Sequence, residues 1–411
     1  QSAGLFASLF TATSASCVTG LIVADTWLQW SLFGQTVILV MIQLGGLGFM
    51  TVITLFSLAL HRRIGLSERL VMVSTLNLND MDGVVRMVQH ALMGTFCMEG
   101  AGALLLSLRF IPKFGLAGGL WRGVFHGVSA FCNAGFDLLG GYSGAFSSLA
   151  GFNDDPVVLL TTAALITVGG LGFFVWEDVL QHRRWKKLSL YSRLVLSLTA
   201  ALILFGALFF FAVEYRNPAT LGPMPLWQKG LNALFQSVTL RTAGFDALGQ
   251  GGLTDSSLAL SVIFMLIGGS SGSTAGGLKT VTVAVLLLAF RAGVRGREEV
   301  TLRGRAISHR RVMNAMTLTL MVVFLFMVSS MLLSTVDGLP FLSAAFEVAS
   351  AMGTVGLTVG ITPGLSLFSR GVLVFLMYVG RVGILSFSIA FLTRSKYPAK
   401  IKYPTFDIMI G

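Results

Sequence analysis

The sequence predicts an all-α, polytopic membrane protein built from four similar units. Each unit consists of a helix, a short re-entrant helix with a following loop, and a second helix. Three observations support this fold class. Only 11% of the 411 residues are charged, whereas a soluble globular protein carries about 25%. Apolar stretches long enough to cross a bilayer recur along the chain, and a glycine-centred motif recurs four times at a nearly constant spacing.

The apolar stretches predict the transmembrane helices. Stretches of at least 18 residues occupy 34–60, 157–176, 194–213, 312–336 and 371–393. Each can span a hydrocarbon core of roughly 30 Å as a helix of about 20 residues. Residues 87–110 form a further apolar helix, and 258–267 with 281–290 form one helix interrupted by a polar loop. We therefore expect seven full spans and four re-entrant segments.

Positive charges lie in every second connection between these stretches. Of the 29 lysine and arginine residues, 20 fall within 61–90, 181–193, 291–311 and 394–402. Cytoplasmic loops of membrane proteins carry such an excess of lysine and arginine, so these four connections are predicted to face the cytoplasm. Topology thereby explains the net charge of +11, and no nucleic-acid partner is predicted.

Four short segments align without gaps on a glycine. They read SASCVTGL at 14–21, SAFCNAGFD at 129–137, VTLRTAGFD at 238–246 and SAMGTVGLT at 350–358. Their anchor glycines, Gly20, Gly135, Gly244 and Gly356, are 115, 109 and 112 residues apart. This period divides the chain into four repeats: 1–63, 64–184, 185–297 with a broken inner helix, and 298–411 with the C-terminal tail. The first repeat lacks its outer helix, which we attribute to truncation or disorder, and eight spans are expected in the intact protein.

A second glycine-rich element follows each anchor, in the inner helix of the repeat. It reads IQLGGLGFMT (42–51), ITVGGLGFFV (166–175), MLIGGSSGSTAGGLKT (265–280) and MYVGRVGILS (377–386). Glycines of this kind often serve close packing between membrane helices. For Gly45, Gly46 and Gly48, that interpretation and a specific role in the repeated unit both stay open.

The anchor loops have the chemistry of a pore for a monovalent cation. Non-helical backbone at membrane depth is tolerated only when it is buried in protein or lines a wet cavity. Four such loops around one axis present rings of backbone carbonyls, which can replace the hydration shell of K⁺. Glycine lets the chain approach an ion closely and adopt a positive φ. The preceding short helices direct their negative C-terminal ends toward the axis. A central, potassium-channel-like pore is therefore predicted.

The loops CVTG, CNAGFD, RTAGFD and GTVG, the break GGSSGSTAGGLKT and the closing YPTFDIMIG (403–411) resemble the KtrB/TrkH family of bacterial potassium transporters. The resemblance covers essentially the whole chain and is greatest to the shorter KtrB branch. It implies gated K⁺ uptake across the bacterial plasma (inner) membrane by the ion-conducting subunit of a Ktr/Trk-type system, with assistance by Na⁺ left open. It also implies a homodimer, with one pore per subunit, resting on a cytoplasmic ring of nucleotide-binding regulatory subunits of the KtrA or TrkA type. A nucleotide would then act only through this partner, and lipid would surround the transmembrane part.

By position, the potassium filter of this family carries over to four residues in each loop. The expected filter residues are Cys17, Val18, Thr19, Gly20, Cys132, Asn133, Ala134, Gly135, Arg241, Thr242, Ala243, Gly244, Gly353, Thr354, Val355 and Gly356. Related transporters that favour Na⁺ often lack the first filter glycine, so the presence of Gly20 favours K⁺. The alternative is that these segments are interfacial loops of a transporter without a filter. Asp137 and Asp246 either attract cations at the outer mouth or are plain solvated loop acids.

Residues 268–280 interrupt the third inner helix and are predicted to form a gate below the filter. The segment GSTAGGLKT is close to a phosphate-binding loop, but Leu278 separates Gly277 from Lys279 and no G-K-[ST] occurs. With five glycines and small polar residues, the segment is expected to gain little from packing, so that open and closed arrangements have similar free energies. The alternative is a kink stabilised by neighbouring helices. The expected gate residues are Gly268, Gly269, Gly272, Gly276, Gly277, Lys279 and Arg381.

Arg381 stands in the middle of the apolar stretch 371–393. A charge at this depth costs at least about 2.5 kcal/mol, which marks the residue as a functional candidate. It is expected to hold a closed state, either by donating hydrogen bonds to loop carbonyls or by repelling cations. The alternative is a structural ion pair with Glu99 or Glu347.

Two other functional classes fit the sequence less well. A Na⁺-coupled secondary cation transporter with broken helices binds its ions near the membrane midplane. Such folds are usually built from two inverted halves, whereas four units recur here in one orientation. An enzyme is not predicted, because none of the five histidines stands in an H-E-x-x-H pairing. The three cysteines show no spacing typical of a disulfide framework or a metal site.

Overall fold

The computed structural model describes residues 4–48, 84–297 and 299–383, with 84–88 described in backbone only. Several predicted features lie outside these residues. They are the cytoplasmic cations at 62–69 and 394–402, the distal parts of the apolar stretches 34–60 and 371–393, and the closing segment 403–411.

The described chain is almost entirely helical. In chain order the helices are α1 (Leu5–Ser16), α2 (Thr26–Gln29), α3 (Leu32–Leu47), α4 (Val84–Phe131), α5 (Gly140–Ser143), α6 (Pro156–Leu171), α7 (Phe173–His182), α8 (Leu190–Glu214), α9 (Leu226–Thr239), α10 (Asp255–Leu266), α11 (Thr280–Val294), α12 (His309–Asp337), α13 (Phe341–Gly353) and α14 (Leu367–Val382). A two-stranded antiparallel hairpin, β1 (Thr301–Leu302) and β2 (Arg305–Ala306), lies between α11 and α12.

Each anchor loop directly follows the C-terminus of a short helix. These pore helices are α1, the last part of α4, α9 and α13. In the second repeat the outer helix and the pore helix form the single element α4, which reverses direction at Gly115 (φ 74°). The two arms pack closely because a Cβ on Gly123 would lie only 2.8 Å from the carbonyl oxygen of Ala103, and one on Gly127 only 3.0 Å from the Ala103 nitrogen.

The inner helices α3, α6, α10 and α14 each begin at a side chain that caps their free N–H groups. The capping side chains are Ser31, Asp155, Thr254 and Ser366, which accept hydrogen bonds from backbone N–H groups two or three residues further on. An N-terminal cap of this kind stabilises a helix by about 1 kcal/mol. Because the cap recurs in all four repeats, each inner helix starts at a defined point above its pore helix.

The same four helices end at the second glycine-rich element. α3, α6 and α14 stop at Gly48, Gly172 and Gly383, which have φ values of 80°, 89° and 91°. The chain bends by 96° between α6 and α7. The sequence-based prediction of one continuous span over 157–176 is therefore wrong, because a left-handed residue at Gly172 ends the helix. The predicted break in the third inner helix is present, between α10 and α11.

Three described helices are long and apolar enough to cross a membrane: Gln89–Phe131, Leu190–Glu214 and His309–Asp337. The bent pair Pro156–Leu171 and Phe173–His182 passes the same test when taken together. The expected count of seven full spans is not reached by continuous helices within residues 4–48, 84–297 and 299–383. The inner helices are shorter because they break at glycines, and α3 and α14 end where the described chain ends or nearly ends.

The link between α11 and α12 is the predicted cytoplasmic connection 291–311. Its hairpin turns at Arg303 (φ 48°) and Gly304 (φ 79°), a backbone geometry typical of a tight two-residue turn. All seven arginines of this link are exposed. Within the described part of the chain, no carboxylate oxygen lies within 4.0 Å of their nitrogens.

Candidate functional site

The four anchor loops meet in a closed ring. A Cβ placed on Gly20 would lie 2.5 Å from the carbonyl oxygen of Ala134, and one on Gly135 would lie 2.8 Å from that of Ala243. The ring continues in the same sense, since a Cβ on Gly244 would collide with the carbonyl of Val355, and one on Gly356 with that of Thr19. Each anchor glycine thus faces the carbonyl of the residue that precedes the anchor glycine of the neighbouring repeat. Four loops that are far apart in sequence therefore surround one axis.

The backbone of each loop has the same unusual conformation. Two positions per loop have a positive φ: the anchor glycine and the residue two before it. These earlier residues are Val18 (55°), Asn133 (58°), Thr242 (64°) and Thr354 (52°), and the glycines have φ values of 92°, 69°, 82° and 97°. A non-glycine residue with positive φ is uncommon. Four of them in register indicate a backbone arrangement that the surrounding structure imposes.

A hydroxyl group near the end of each pore helix fastens the loop. Ser14 Oγ and Ser350 Oγ each accept a hydrogen bond of 3.0 Å from the anchor N–H, Gly20 and Gly356. Ser129 Oγ donates to the carbonyl of Phe136 (2.8 Å) instead. In the third loop the fastening group is Thr239, which donates to Phe245 (2.6 Å). Thr239 lies five residues before its anchor glycine, whereas the other three hydroxyl groups lie six before theirs. The gap-free alignment still holds for the filter positions, since Thr242 has the positive φ two residues before Gly244.

The residues that begin the predicted filter segments differ most among the loops. Cys17, Cys132, Arg241 and Gly353 are all buried. Cys132 Sγ lies 3.6 Å from Glu99 Oε1, and Gln43 Nε2 donates to both Glu99 oxygens at 3.1 and 3.2 Å. Glu99 therefore connects the outer helix of the second repeat to its loop and to the first inner helix.

The glycines of the inner helices allow these helices to approach the pore helices. A Cβ on Gly45, Gly169 or Gly380 would collide with the carbonyl of Ser16, Phe131 or Met352, respectively. Gly46 meets the Cys132 side chain, whose Sγ would lie 2.5 Å from an added Cβ. The close-packing interpretation thus describes Gly45 and Gly46, whereas Gly48 lies in open space with a positive φ.

The glycine-rich loop 268–280 is folded and mostly buried. A bridge between Ile267 and Leu278 closes its base, with hydrogen bonds of 2.8 Å from Gly268 N to the Leu278 oxygen and 3.1 Å from Leu278 N to the Leu266 oxygen. Its chain also bonds the second inner helix, from Ser270 N to the Gly170 oxygen (3.0 Å). The expectation that this loop gains little from packing is wrong, because its small residues let backbone groups pair with neighbouring helices.

This loop lies against the base of the ring. Thr274 Oγ1 donates a hydrogen bond of 3.2 Å to the carbonyl of Phe131, the last residue of the second pore helix. On the other side, a Cβ on Gly276 would collide with the Thr354 side chain of the fourth loop. Lys279 Nζ bonds within the loop, to the Ala275 carbonyl at 2.7 Å. The loop thus reaches from the second to the fourth anchor loop.

Arg381 joins this loop to the first repeat. Its guanidinium donates to the carbonyls of Thr274 and Gly45, and to that of Gly46 at 3.2 Å. In the described chain no carboxylate oxygen lies within 4.0 Å of it. The alternative of an ion pair is not observed, since Glu99 bonds Gln43 and Cys132, and Glu347 bonds its own loop. These contacts are of the hydrogen-bonding kind, which is one of the two ways in which Arg381 is expected to act.

Two further predicted features have structural roles that the sequence did not reveal. Asp246 accepts from the N–H groups of Leu248, Gly249 and Gln250, and Asp137 accepts from Leu139 N, so both acids cap turns in their own loops. Residues 268–272 read Gly-Gly-Ser-Ser-Gly and match the G-x-S-x-G pattern of hydrolase nucleophiles, a match that is not among the predicted features. Ser270 follows helix α10 instead of a strand, and its hydroxyl donates to the Leu171 carbonyl.

Comparison with known proteins identifies the family. Residues 1–399 match the TrkH family, described as cation transport proteins. The chain belongs to the TrkH family. It is 42% identical over 98% of its length to the potassium/sodium uptake protein NtpJ of Enterococcus hirae, covering 89% of that protein. It is 38% identical to the Ktr system potassium uptake protein B of Bacillus subtilis, with the same shares of the two chains covered.

The fold agrees with this family. The structure superposes on the potassium transporter TrkH of Vibrio parahaemolyticus with a TM-score of 0.75, covering 95% of this chain and 79% of that one at 18% identity. The prediction of an all-α polytopic membrane protein with pore-loop repeats is confirmed. Membership of a cation transport family also confirms the prediction of a transporter instead of an enzyme.

Sequence reasoning did not find all residues that hold the ring. Thr239 was missed because the alignment places Val238, which has no hydroxyl group, six residues before the third anchor glycine. Glu99 and Glu347 were considered only as ion-pair partners of Arg381. A usable signal was available for Glu347: it lies on a pore helix, three residues before Ser350, so both side chains are on one face of the helix.

Proposed function

We propose that this chain is the K⁺-conducting subunit of a Ktr/Trk-type uptake system in the bacterial plasma membrane, and that its four anchor loops are the selectivity filter. The single observation that carries the proposal is the closed ring of carbonyl and glycine contacts among the four loops. Two relatives, at 42% and 38% identity, are named for the uptake of potassium or of potassium and sodium.

The filter would act through backbone carbonyls. A K⁺ ion that enters the ring exchanges hydration water for the carbonyl oxygens of Val18 and Thr19 and of the equivalent residues in the other loops. The positive φ at two positions per loop turns the backbone so that successive carbonyl oxygens can point toward the axis. The pore helices end at the loops, so their negative dipole ends favour a cation at the centre. The filter itself then needs no ionised side chain.

The loop 268–280 and Arg381 would form the gate. The loop reaches across the base of the ring and Arg381 bonds its Thr274 carbonyl, an arrangement suited to a closed pathway. Opening would require Arg381 to release this carbonyl and the loop to break its bonds with the second inner helix. A change that costs several hydrogen bonds, each worth about 1 kcal/mol net, is small enough for a regulatory partner to drive.

The partners would be a second copy of this chain and a cytoplasmic ring of nucleotide-binding regulatory subunits of the KtrA or TrkA type. The exposed arginines of the link 291–311 support such docking, because no carboxylate pairs with them in the described chain. Anionic lipid headgroups are the competing ligand for these charges. A nucleotide would act only through the ring.

The Na⁺-coupled secondary transporter is the second candidate. Against it, the four loops follow one another around the axis in a single sense, with no inverted pair. In favour of some Na⁺ transport, one relative is named a potassium/sodium uptake protein. The presence of glycine at all four anchors supports K⁺ as the preferred substrate.

Purified protein in liposomes tests the proposal. Uptake of K⁺, Rb⁺, Na⁺ and Li⁺ is measured down matched gradients, with empty liposomes as the control. We expect K⁺ and Rb⁺ to pass at similar rates and faster than Na⁺ and Li⁺. K⁺ uptake that requires a Na⁺ gradient would favour the second candidate, and equal rates for all four ions would contradict a K⁺-selective filter.

A further inference from the structure

Glu347 is a fully buried carboxylate in the middle of the fourth pore helix. Its three hydrogen-bond donors all come from the outward leg of the fourth anchor loop. They are the hydroxyl of Thr358, the N–H of Val359 at 3.2 Å and the hydroxyl of Thr362 at 2.7 Å. No lysine, arginine or histidine nitrogen lies within 4.0 Å of it in the described residues. Every partner that it has therefore belongs to the loop.

These bonds hold the part of the fourth loop that follows Gly356, whereas Ser350 holds the part up to Gly356. Ser350 Oγ accepts from Gly356 N at 3.0 Å, and the Ser350 carbonyl accepts from Val355 N at 2.8 Å. Glu347 is one helical turn earlier on the same face and holds the chain beyond Gly356. The segment between, with the carbonyls of Thr354 and Val355, is thus tied to one rigid helix on both sides.

The equivalent helix position is used differently in the other repeats. Three residues before each fastening hydroxyl stand Thr11, His126 and Gln236. In the described chain Thr11 Oγ1 and His126 Nε2 have no hydrogen-bond partner. Gln236 exchanges two hydrogen bonds, of 2.7 and 3.1 Å, with Gln250, which lies six residues after Gly244 as Thr362 does after Gly356. Among the four, Glu347 is the one carboxylate, and in the described chain it accepts three hydrogen bonds from its own loop, against two bonds for Gln236.

The fourth loop is also the one against which the glycine-rich loop lies, since Gly276 packs on the Thr354 side chain. A filter segment that borders a moving element needs to keep its shape while that element moves. A multiply bonded, buried carboxylate supplies that rigidity, because removing it leaves several donors without acceptors.

We propose that Glu347 is a positioning residue for ion selectivity, which holds the Thr354 and Val355 carbonyls at the spacing that fits K⁺. The inference rests on the proposed function, in which these carbonyls contact the ion. A loop released on its outward side can close around the smaller Na⁺, so loss of Glu347 lowers the preference for K⁺ instead of only slowing transport.

The test measures the K⁺/Na⁺ uptake ratio and the melting temperature of Glu347→Gln, Glu347→Asp and a matched control, Glu214→Gln. Glu214 is also fully buried. It accepts from Asn217, Thr220, Thr254 and Ser257, none of which is in an anchor loop. Its loss removes a similar set of hydrogen bonds at a distance from the ring.

We expect Glu347→Gln to lower the K⁺/Na⁺ ratio by about tenfold, the effect of losing one or two hydrogen bonds. Glu347→Asp should recover part of the ratio, because it restores the carboxylate. Glu214→Gln should lower the melting temperature and keep the wild-type ratio. Thr362→Val, which removes a single donor, serves as the milder variant in case Glu347→Gln does not fold, and should lower the ratio less.

An unchanged K⁺/Na⁺ ratio in folded Glu347→Gln overturns the inference. If Glu347→Gln does not fold, an unchanged ratio in Thr362→Val overturns it. An equal fall in Glu214→Gln also overturns it, since general destabilisation then explains the effect. Wild-type protein that does not prefer K⁺ contradicts the proposed function itself, and that result is visible before any variant is compared.

Discussion

The guanidinium of Arg381 donates a hydrogen bond to the carbonyl oxygen of Thr274, across a gap of more than one hundred residues in sequence. Its second nitrogen reaches the carbonyls of Gly45 and Gly46. In the glycine-rich elements of the four repeats, Arg381 stands where the others have Gly46, Gly170 and Gly269. One side chain from the fourth repeat thus fixes the loop of the third repeat to the inner helix of the first.

Replacing Arg381 by alanine is expected to raise K⁺ flux and to weaken its dependence on the cytoplasmic partner. The loop loses its bond to the fourth inner helix, so the open arrangement becomes more populated. Couplings of this kind are about 1–3 kcal/mol, or roughly 5- to 150-fold. Rb⁺ efflux from liposomes measures the change.

Arg370→Ala is the matched control for this variant. Arg370 lies on the same helix but donates to the Pro363 carbonyl at 2.6 Å, away from the glycine-rich loop. Its flux should stay at the wild-type value. Monodisperse Arg381→Ala that conducts no faster than wild type would show that the loop is not held closed by this arginine.

Deleting residues 270–276 should raise K⁺ flux further. The deletion leaves Gly268, Gly269 and Gly277 between Ile267 and Leu278, so monodisperse purification first checks that the helices keep their places. The deletion removes Thr274 and Gly276, which contact the second and fourth anchor loops. The same efflux assay applies, with Thr274→Val as a smaller change. If both folded variants keep wild-type flux, the gate lies elsewhere.

The fold was predictable from the sequence because it depends on features that sequence displays directly. Apolar stretches and anchor glycines repeat at a nearly constant period, and the four loops meet as predicted. The role of Thr239 was not predictable, because a hydroxyl group five residues before the anchor glycine has no counterpart in the other three loops. The end of α6 at Gly172 was missed because hydropathy alone does not distinguish a continuous apolar helix from a broken one.

The packing of residues 268–280 could not be predicted from the sequence either. Small residues predict weak apolar contacts between side chains. The loop is held instead by hydrogen bonds, from backbone groups such as Ser270 N on the Gly170 carbonyl and from the Thr274 hydroxyl on the Phe131 carbonyl. Which backbone groups meet depends on the relative positions of four helices, which composition does not specify.

Cysteine labelling tests the orientation. Arg297→Cys and Lys187→Cys should react with a membrane-impermeant thiol reagent from the cytoplasmic side only, because cationic connections remain inside. Gly249→Cys, exposed in the loop after the third anchor, should react from the outside only. Labelling of native protein at Cys97, which is exposed on α4, is subtracted as background. Reaction of Arg297→Cys from outside would reverse the predicted topology.

Neutralising the arginines of the link between α11 and α12 distinguishes a protein partner from anionic lipid as the ligand of these charges. With Arg295, Arg297, Arg303 and Arg305 replaced by glutamine, co-purification of the regulatory ring and the nucleotide response should be lost. The matched control neutralises Arg183, Arg184, Lys186 and Lys187, four exposed cations of another connection, and should keep both. Equal behaviour of the two sets would assign the charges to anionic lipid.

The central claim is that the four anchor loops form one selectivity filter, and the K⁺/Na⁺ uptake ratio of Gly20→Ser and Gly244→Ser tests it most directly. A Cβ at either glycine meets a carbonyl of the neighbouring loop, and their φ values of 92° and 82° add strain of roughly 1–2 kcal/mol. Gly144→Ser, with a φ of 105° and open space around the added Cβ, carries the strain without the collision. We predict a fall in the ratio of at least about tenfold for the two ring variants, equivalent to about 1.4 kcal/mol, and no change for Gly144→Ser. A wild-type ratio in folded Gly20→Ser and Gly244→Ser would contradict the claim.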